Sequence, residues 1–170
     1  MNSTRMQNFI SLASLLLLLN VAVIAGGGGG KTTLVESLLL NAKAISKRGI
    51  VEKGTTVMTT EPEEVGREGS TITPHVGYFE WDKHNVNVVD TPGYINFLEA
   101  TRGVVHAMDG TVVMVSAEDG LKPETERAWL MTDEAKTPAL CFINNMDGDQ
   151  ADFSKVLEEC EKVFEISMVP

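Results

Sequence analysis

Ala25-Gly26-Gly27-Gly28-Gly29-Gly30-Lys31-Thr32-Thr33 joins a short β-branched run, Val21-Ala22-Val23-Ile24, to a stretch with helical spacing. Small residues let consecutive backbone N–H groups turn inward around a phosphate. The start of the following helix adds unpaired amides and the positive end of its dipole. Lys31 suits the β- and γ-phosphates of a nucleotide, and the Thr32 hydroxyl suits Mg²⁺. The usual pattern opens with glycine, where this chain has Ala25. Five glycines alone would also make a flexible linker. The strand before and the helix after are what turn the segment into a phosphate loop. All nine residues are candidate phosphate contacts, and an empty loop of this composition is entropically costly to order.

Working outward, Leu34, Val35, Leu38 and Leu39 predict a helix over Thr32–Ala44. Residues 46–73 are rich in Gly, Thr, Glu and Pro, lack a period, and read as a long functional or mobile loop. His75–Trp81 and Val86–Val89 read as adjacent strands, with Asp82-Lys83-His84-Asn85 as the turn between them. Thr111–Val115 and Ala139–Ile143 are continuous apolar runs, which predicts strands buried on both faces of a parallel sheet. Glu124–Glu134 and Asp152–Phe164 read as helices, the first opened by Pro123, where a missing N–H costs little. Alternating strands and helices predict an α/β fold of three layers with a mostly parallel sheet.

Two further strand ends carry chemistry. Asp90-Thr91-Pro92-Gly93 follows the strand Val86–Val89. Asp90 is placed to hold Mg²⁺ through a water, and the Gly93 N–H to meet a γ-phosphate and swing when it leaves. Alone this tetrapeptide is a turn; about 60 residues after a phosphate loop it fits the order of parts in nucleotide hydrolases. Asn144-Asn145-Met146-Asp147 closes the strand Ala139–Ile143. A carboxylate there could accept two hydrogen bonds from the guanine edge and so reject adenine. By itself this tetrapeptide reads more readily as a plain Asn/Asp turn.

Composition sets limits around these motifs. The chain has 170 residues, enough for one domain with a sizeable core, and a net charge of −10. That acidity opposes non-specific binding to nucleic acid, so this segment is not expected to bind free RNA or DNA. Cys141 and Cys160 are expected to be reduced thiols without a special role, Cys141 in a buried strand. Phe9–Leu19 is strongly apolar, follows Arg5 and contains no acid, like the core of a signal peptide. Yet the run continues into the strand before the loop, and cleavage near Ala25 would remove that strand. A span from Phe9 to Ala25 is barely long enough to cross a membrane. Residues 1–19 are therefore set apart as a leader of uncertain role, with a cytoplasmic protein as the main expectation and anchoring or export as the alternative.

With these parts placed, Asn20 to the chain's end resembles the front of the G domain of elongation factor G and its paralogues. The segments that carry the resemblance are Asn20–Ala25, Lys31–Ser37, Glu52–Thr56, Phe79-Glu80-Trp81, Asp90–Tyr94, Phe142–Asp147 and Ala151-Asp152-Phe153. It implies a phosphate-loop nucleotide hydrolase fold, incomplete at its C-terminus, over residues 20–170. It implies binding of GTP and GDP, Mg²⁺-dependent hydrolysis, and the ribosome as partner of the full-length protein. Ribosome-protection factors and the GTPase release factor share much of the pattern.

Residue by residue, the resemblance makes Thr71 the first-switch threonine that binds Mg²⁺, with Thr73 as runner-up. The metal set is then Thr32, Thr71 and Asp90. The catalytic set is Lys31, Gly93 and Tyr94, the last in the place where elongation factor G has the histidine that positions water. Asn144, Asn145 and Asp147 take the base. Four departures stand out: Asn145 replaces the usual lysine, Glu68-Gly69 replaces Arg-Gly, Tyr94 replaces histidine, and Gly26 replaces the histidine of the loop. Asn145, Tyr94 and the missing C-terminal part favour, as the alternative, a degenerate or non-hydrolysing guanine-nucleotide module.

Overall fold

The run Val21–Ile24 is the second half of a longer strand, β1 (Leu18–Ile24), in the computed structural model of the chain, which describes residues 18–67 and 70–169. β1 lies at the centre of a five-stranded sheet. The other strands are β2 (His75–Trp81), β3 (His84–Asp90), β4 (Gly110–Ser116) and β5 (Ala139–Asn144). Their order is β2-β3-β1-β4-β5. β1 runs parallel to β3, with Val21 opposite Val88, and parallel to β4, with Val21 opposite Gly110. β4 and β5 are also parallel, and β2 alone is antiparallel, to β3. The expected α/β architecture with a mostly parallel sheet is therefore present.

Alternation along β1 builds the three layers. Ala22 and Ile24 face a core with Val105, Ala128, Val156 and Cys160, on α3 (Leu98–His106), α4 (Pro123–Ala135) and α5 (Phe153–Phe164). Val23 and Ala25 face the other way, onto Val35 and Leu39 of α1 (Lys31–Asn41) and onto Met58, Phe79 and Val88. Trp129 and Phe164 stack between α4 and α5, ring centroids 4.4 Å apart.

Three expectations change. β2 and β3 are joined by a two-residue turn, because Asp82 and Lys83 both take positive φ (45° and 65°), the requirement of a type I′ hairpin. β3 thus opens at His84, paired with Trp81, instead of at Val86. α1 stops at Asn41 instead of Ala44. β5 is not buried on both faces: Leu140 is 62 % and Phe142 38 % exposed, and Cys141 is half-buried. Only the Cys141 and Ile143 side of β5 packs against the helices, and β5 is an edge of the sheet among the described residues. Both thiols are free.

The long polar stretch holds a 3₁₀ turn (Val51–Lys53) and a four-residue helix, α2 (Pro62–Val65). The departure at Glu68-Gly69 and the leader before Leu18 lie outside the described residues. Leu18 and Leu19, the end of the apolar run, belong to β1. No helix among the described residues is long and apolar enough to cross a membrane.

Candidate functional site

Sheet order reverses direction at β1, between β3 and β4, and in open parallel sheets the crevice at such a switch point is where ligands sit. The loop after β1 and the loop after β3 meet there. They bound a cavity of ≈ 270 Å³ whose walls include Gly27, Lys31, Thr32, Thr71, Gly93 and Tyr94. Gly28, Gly30, Thr33, Val51, Glu52 and Ser70 complete the lining.

The glycine loop is shaped by its residues. Gly30 has φ +88°, the left-handed region that glycine enters without a Cβ clash, and it hands the chain into α1. No side chain caps α1, so its first amides face the cavity mouth unpaired. By contrast Asp152 caps α5 by accepting the Lys155 N–H at 2.9 Å. Lys31 folds back across the loop and donates to the carbonyls of Ala25 (3.3 Å) and Gly26 (3.2 Å). Gly93 comes so close that a Cβ there would collide with the Lys31 ammonium and the Ala25–Gly26 backbone.

Thr32, Asp90 and Thr71 converge next to Lys31. Thr32 Oγ1 donates to Asp90 Oδ2 at 2.6 Å, and Thr71 Oγ1 lies 3.4 Å from both Thr32 Oγ1 and Asp90 Oδ2. Asp90 is fully buried, and Lys31, Thr32 and Thr71 are each less than a tenth exposed. Asp90 Oδ1 has no hydrogen-bond partner among the described residues. Burial pushes the Asp90 carboxyl above the usual aspartate value, against the pull of the Thr32 hydrogen bond, Lys31, His75 and Thr71. Burial also pushes the Lys31 ammonium below the usual lysine value; Asp90 opposes this and Lys122 adds to it. Both charges are therefore under-compensated, as expected where an anion and a cation from outside complete the set.

An orphaned carboxylate oxygen and two hydroxyls make an all-oxygen donor set, which suits Mg²⁺. Mg²⁺ takes few protein ligands and completes its shell with water and phosphate. The residues fit the metal that the sequence implied, and they leave room for a phosphate at the α1 amides.

Other sequence candidates are placed differently. The Gly26 N–H is already taken by Thr125 Oγ1 at 2.8 Å. Tyr94 packs its ring on Gly27 at the rim and is 49 % exposed. Asn144 braces the loop, donating to the Gly29 carbonyl at 3.2 Å. Asn145 takes left-handed φ (58°) and donates to Ser116 Oγ at 3.4 Å. Asp147 is exposed in the turn after β5, and neither it nor Asn145 lines the cavity. Thr73 Oγ1 lies 3.4 Å from His75, away from Asp90.

Several site residues escaped the sequence reading. Glu36 is fully buried on α1 and accepts the N–H groups of Gly49 (2.8 Å) and Val57 (2.6 Å). It ties the segment bearing Val51 and Glu52 to the helix that follows the loop. A carboxylate beside Val35 and three residues before Leu39, on a core-facing stripe, was the available signal. Lys122 donates to the Gly27 carbonyl at 3.1 Å and pairs with Asp119 at 2.9 Å. Nothing in its local sequence marks it.

Residues 17–169 match the family described as "Elongation factor Tu GTP binding domain". The chain is 38 % identical to the mitochondrial ribosome-releasing factor 2 of Culex quinquefasciatus, over 82 % of this chain and 18 % of that protein. It is 33 % identical to elongation factor G of Salinibacter ruber, over 82 % of this chain and 20 % of that one. Tetracycline resistance protein TetO of Streptococcus pneumoniae is 39 % identical over 75 % of this chain and 20 % of its own length. A solved structure from Thermus thermophilus superposes with a TM-score of 0.81 and 34 % identity, covering 86 % of this chain and 22 % of that one. The chain thus spans about a fifth of the length of the relatives it matches. With the phosphate loop, the parallel sheet and a family match running from residue 17 to residue 169, this chain belongs to the GTP-binding domain family of the translational GTPases, with elongation factor G among its relatives.

Proposed function

We propose that this chain binds GTP and GDP with Mg²⁺ and hydrolyses GTP, as the nucleotide domain of an elongation factor G-like protein that works on the ribosome in the cytoplasm. The observation that carries the reading is the buried cluster of Lys31, Thr32, Thr71 and Asp90, with one Asp90 oxygen unpaired beside a row of free α1 amides.

The chain's own residues divide the work. Glycine-loop and α1 amides take the phosphates, and Lys31 leaves its two carbonyl partners for the β- and γ-phosphates. Thr32, Thr71 and Asp90 would hold Mg²⁺, which would supply neutralisation of the charge that builds on the phosphates during transfer. Gly93 offers its N–H to the γ-phosphate, and Tyr94 orients the attacking water from the rim. Asp147 takes the guanine edge, Asn145 stands in the place of the lysine that covers the ring in the family, and Asn144 keeps the loop in shape. Phosphoryl transfer needs positioning and charge neutralisation more than a strong base. Nucleotide titration with GTP, GDP and ATP, with and without Mg²⁺, tests the reading. Equal affinity for ATP and GTP, or no dependence on Mg²⁺, would sink it.

A second reading, a guanine-nucleotide module without turnover, is favoured by the placement of Tyr94, its ring on Gly27 and half in solvent. Single-turnover hydrolysis separates the two. The acidic surface leaves free nucleic acid out of either reading, and neither needs a membrane.

A further inference from the structure

Glu64 is 1 % exposed, on a helix of one turn in the middle of a polar segment. A carboxylate so buried must be fully partnered. It accepts the Ile72 N–H at 2.9 Å and lies 3.5 Å from the Thr73 N–H. His75 Nε2 reaches both of its oxygens, at 2.8 and 2.9 Å. The other ring nitrogen of His75 meets Thr60 Oγ1 at 3.2 Å. With Nε2 protonated and Nδ1 accepting from Thr60, every polar atom of the imidazole is used.

The position of this pair matters more than its strength. Ile72 directly follows Thr71, whose hydroxyl lies 3.4 Å from both Thr32 Oγ1 and Asp90 Oδ2. His75 opens β2 and is paired in register with Asp90 on β3. Glu64 therefore grips the chain one and two residues after Thr71, and His75 ties Glu64 to the strand that carries Asp90.

We propose that Glu64 and His75 are positioning residues: together they form a latch that holds Thr71 at the Asp90–Thr32 cluster, and so set how much more tightly the chain holds magnesium-bound triphosphate than diphosphate. The second clause rests on the GTP and Mg²⁺ reading above; the first does not. A held Thr71 offers its hydroxyl to the metal without an ordering cost at binding. A released Thr71 must be ordered by the ligand, and only a γ-phosphate with its metal reaches that far into the segment.

The test uses the full chain and three variants, Glu64→Gln, His75→Ala and His75→Gln. Gln at 75 places an amide donor close to where Nε2 stands, so it is the conservative variant. Hydrogen exchange of the nucleotide-free proteins reads the latch directly. Faster exchange at Ile72 and Thr73 in Glu64→Gln and His75→Ala, with β1 and β4 unchanged and partial recovery in His75→Gln, is the expected result. Unaltered exchange at Ile72 in both would overturn the latch. Binding of a non-hydrolysable GTP analogue with Mg²⁺ and of GDP reads the consequence. The analogue should weaken by about tenfold, the loss of one charge-assisted contact, while GDP stays within about twofold. Equal weakening of both nucleotides would mean that the pair only supports the fold. If the parent chain binds no guanine nucleotide at all, the proposed function fails, and the exchange arm still decides whether the latch exists.

Discussion

Asp90 and Lys31 are both buried, both charged in the working state, and both displaced from their ordinary titration in the direction that opposes that charge. A site of this kind trades stability for function. For Asp90 the sign follows from linkage. Its folded value is raised, so between 3.8 and that raised value the folded chain holds the proton better than the unfolded one, and stability falls as pH rises. Asp90→Asn keeps an oxygen for the Thr32 hydroxyl and removes the charge. The nucleotide-free variant should melt above the parent at neutral pH, and the gap should close below the ordinary aspartate value. Mg²⁺-dependent GTP binding should be lost in the same protein. Melting curves across pH, paired with titrations, check both halves; a variant that melts lower at neutral pH would show that Asp90 is stabilised by its neighbours after all. Lys31→Ala makes the complementary case. It removes two contacts to loop carbonyls and a desolvated ammonium, so the melting temperature should hold or rise. A hydrogen bond from a charged group contributes ~1.5–3 kcal/mol, which implies triphosphate affinity about 10- to 100-fold weaker. Isothermal titration of a folded variant at parental affinity would remove Lys31 from the phosphate.

At the scale of elements, what the sequence disclosed depended on how local the cause was. A β-branched run, a glycine turn and a helical stripe are short-range signals, and β1, the phosphate loop and α1 follow from them. The Asp82-Lys83 turn was misread because lysine rarely takes positive φ, so the turn looked longer than it is. β5 was misread because a continuous apolar run speaks of apolarity and not of what covers it. Glu36, Glu64 and His75 stayed hidden because a buried carboxylate is recognisable only through backbone groups that fold back onto it from elsewhere. Thr71 needed the family resemblance, since no period marks its segment. Base recognition is the least complete part. Asp147 sits exposed in its turn, so its proposed contact with the guanine edge would require the base to displace solvent from the carboxylate. Exposure makes a clean test possible, because surface substitutions shift stability by only about 0.5 kcal/mol. Asp147→Asn should leave melting unchanged, weaken GTP, and improve xanthosine triphosphate, whose ring oxygen needs a donor. Competition binding with the two nucleotides reads the switch; an unaltered ratio would mean that Asp147 does not face the base.

For the whole molecule, the site is asymmetric in its enclosure. The cluster of Thr71, Asp90 and Thr32 is closed, each residue less than a tenth exposed, while Tyr94 on the cavity wall is half in solvent. An aromatic ring resting on the Gly27 backbone and otherwise wet has little to fix its hydroxyl. Orientation of an attacking water by that hydroxyl then needs a surface from outside to pin the ring. This fits a chain whose proposed partner is large. The isolated chain should hydrolyse GTP slowly, and Tyr94→Phe should change neither that slow rate nor GTP affinity, because the unpinned hydroxyl contributes little there. With ribosomes added, the parent should accelerate. Tyr94→Phe should accelerate less, by about 100-fold if the hydroxyl positions the water. Tyr94→His restores a ring donor at the same place and should recover the stimulated rate. Rapid-quench measurement of phosphate release on the three proteins decides the matter. Equal stimulation of tyrosine, phenylalanine and histidine would assign the water to backbone groups such as the Gly93 N–H, and Tyr94 would then be a cover for the phosphate loop alone.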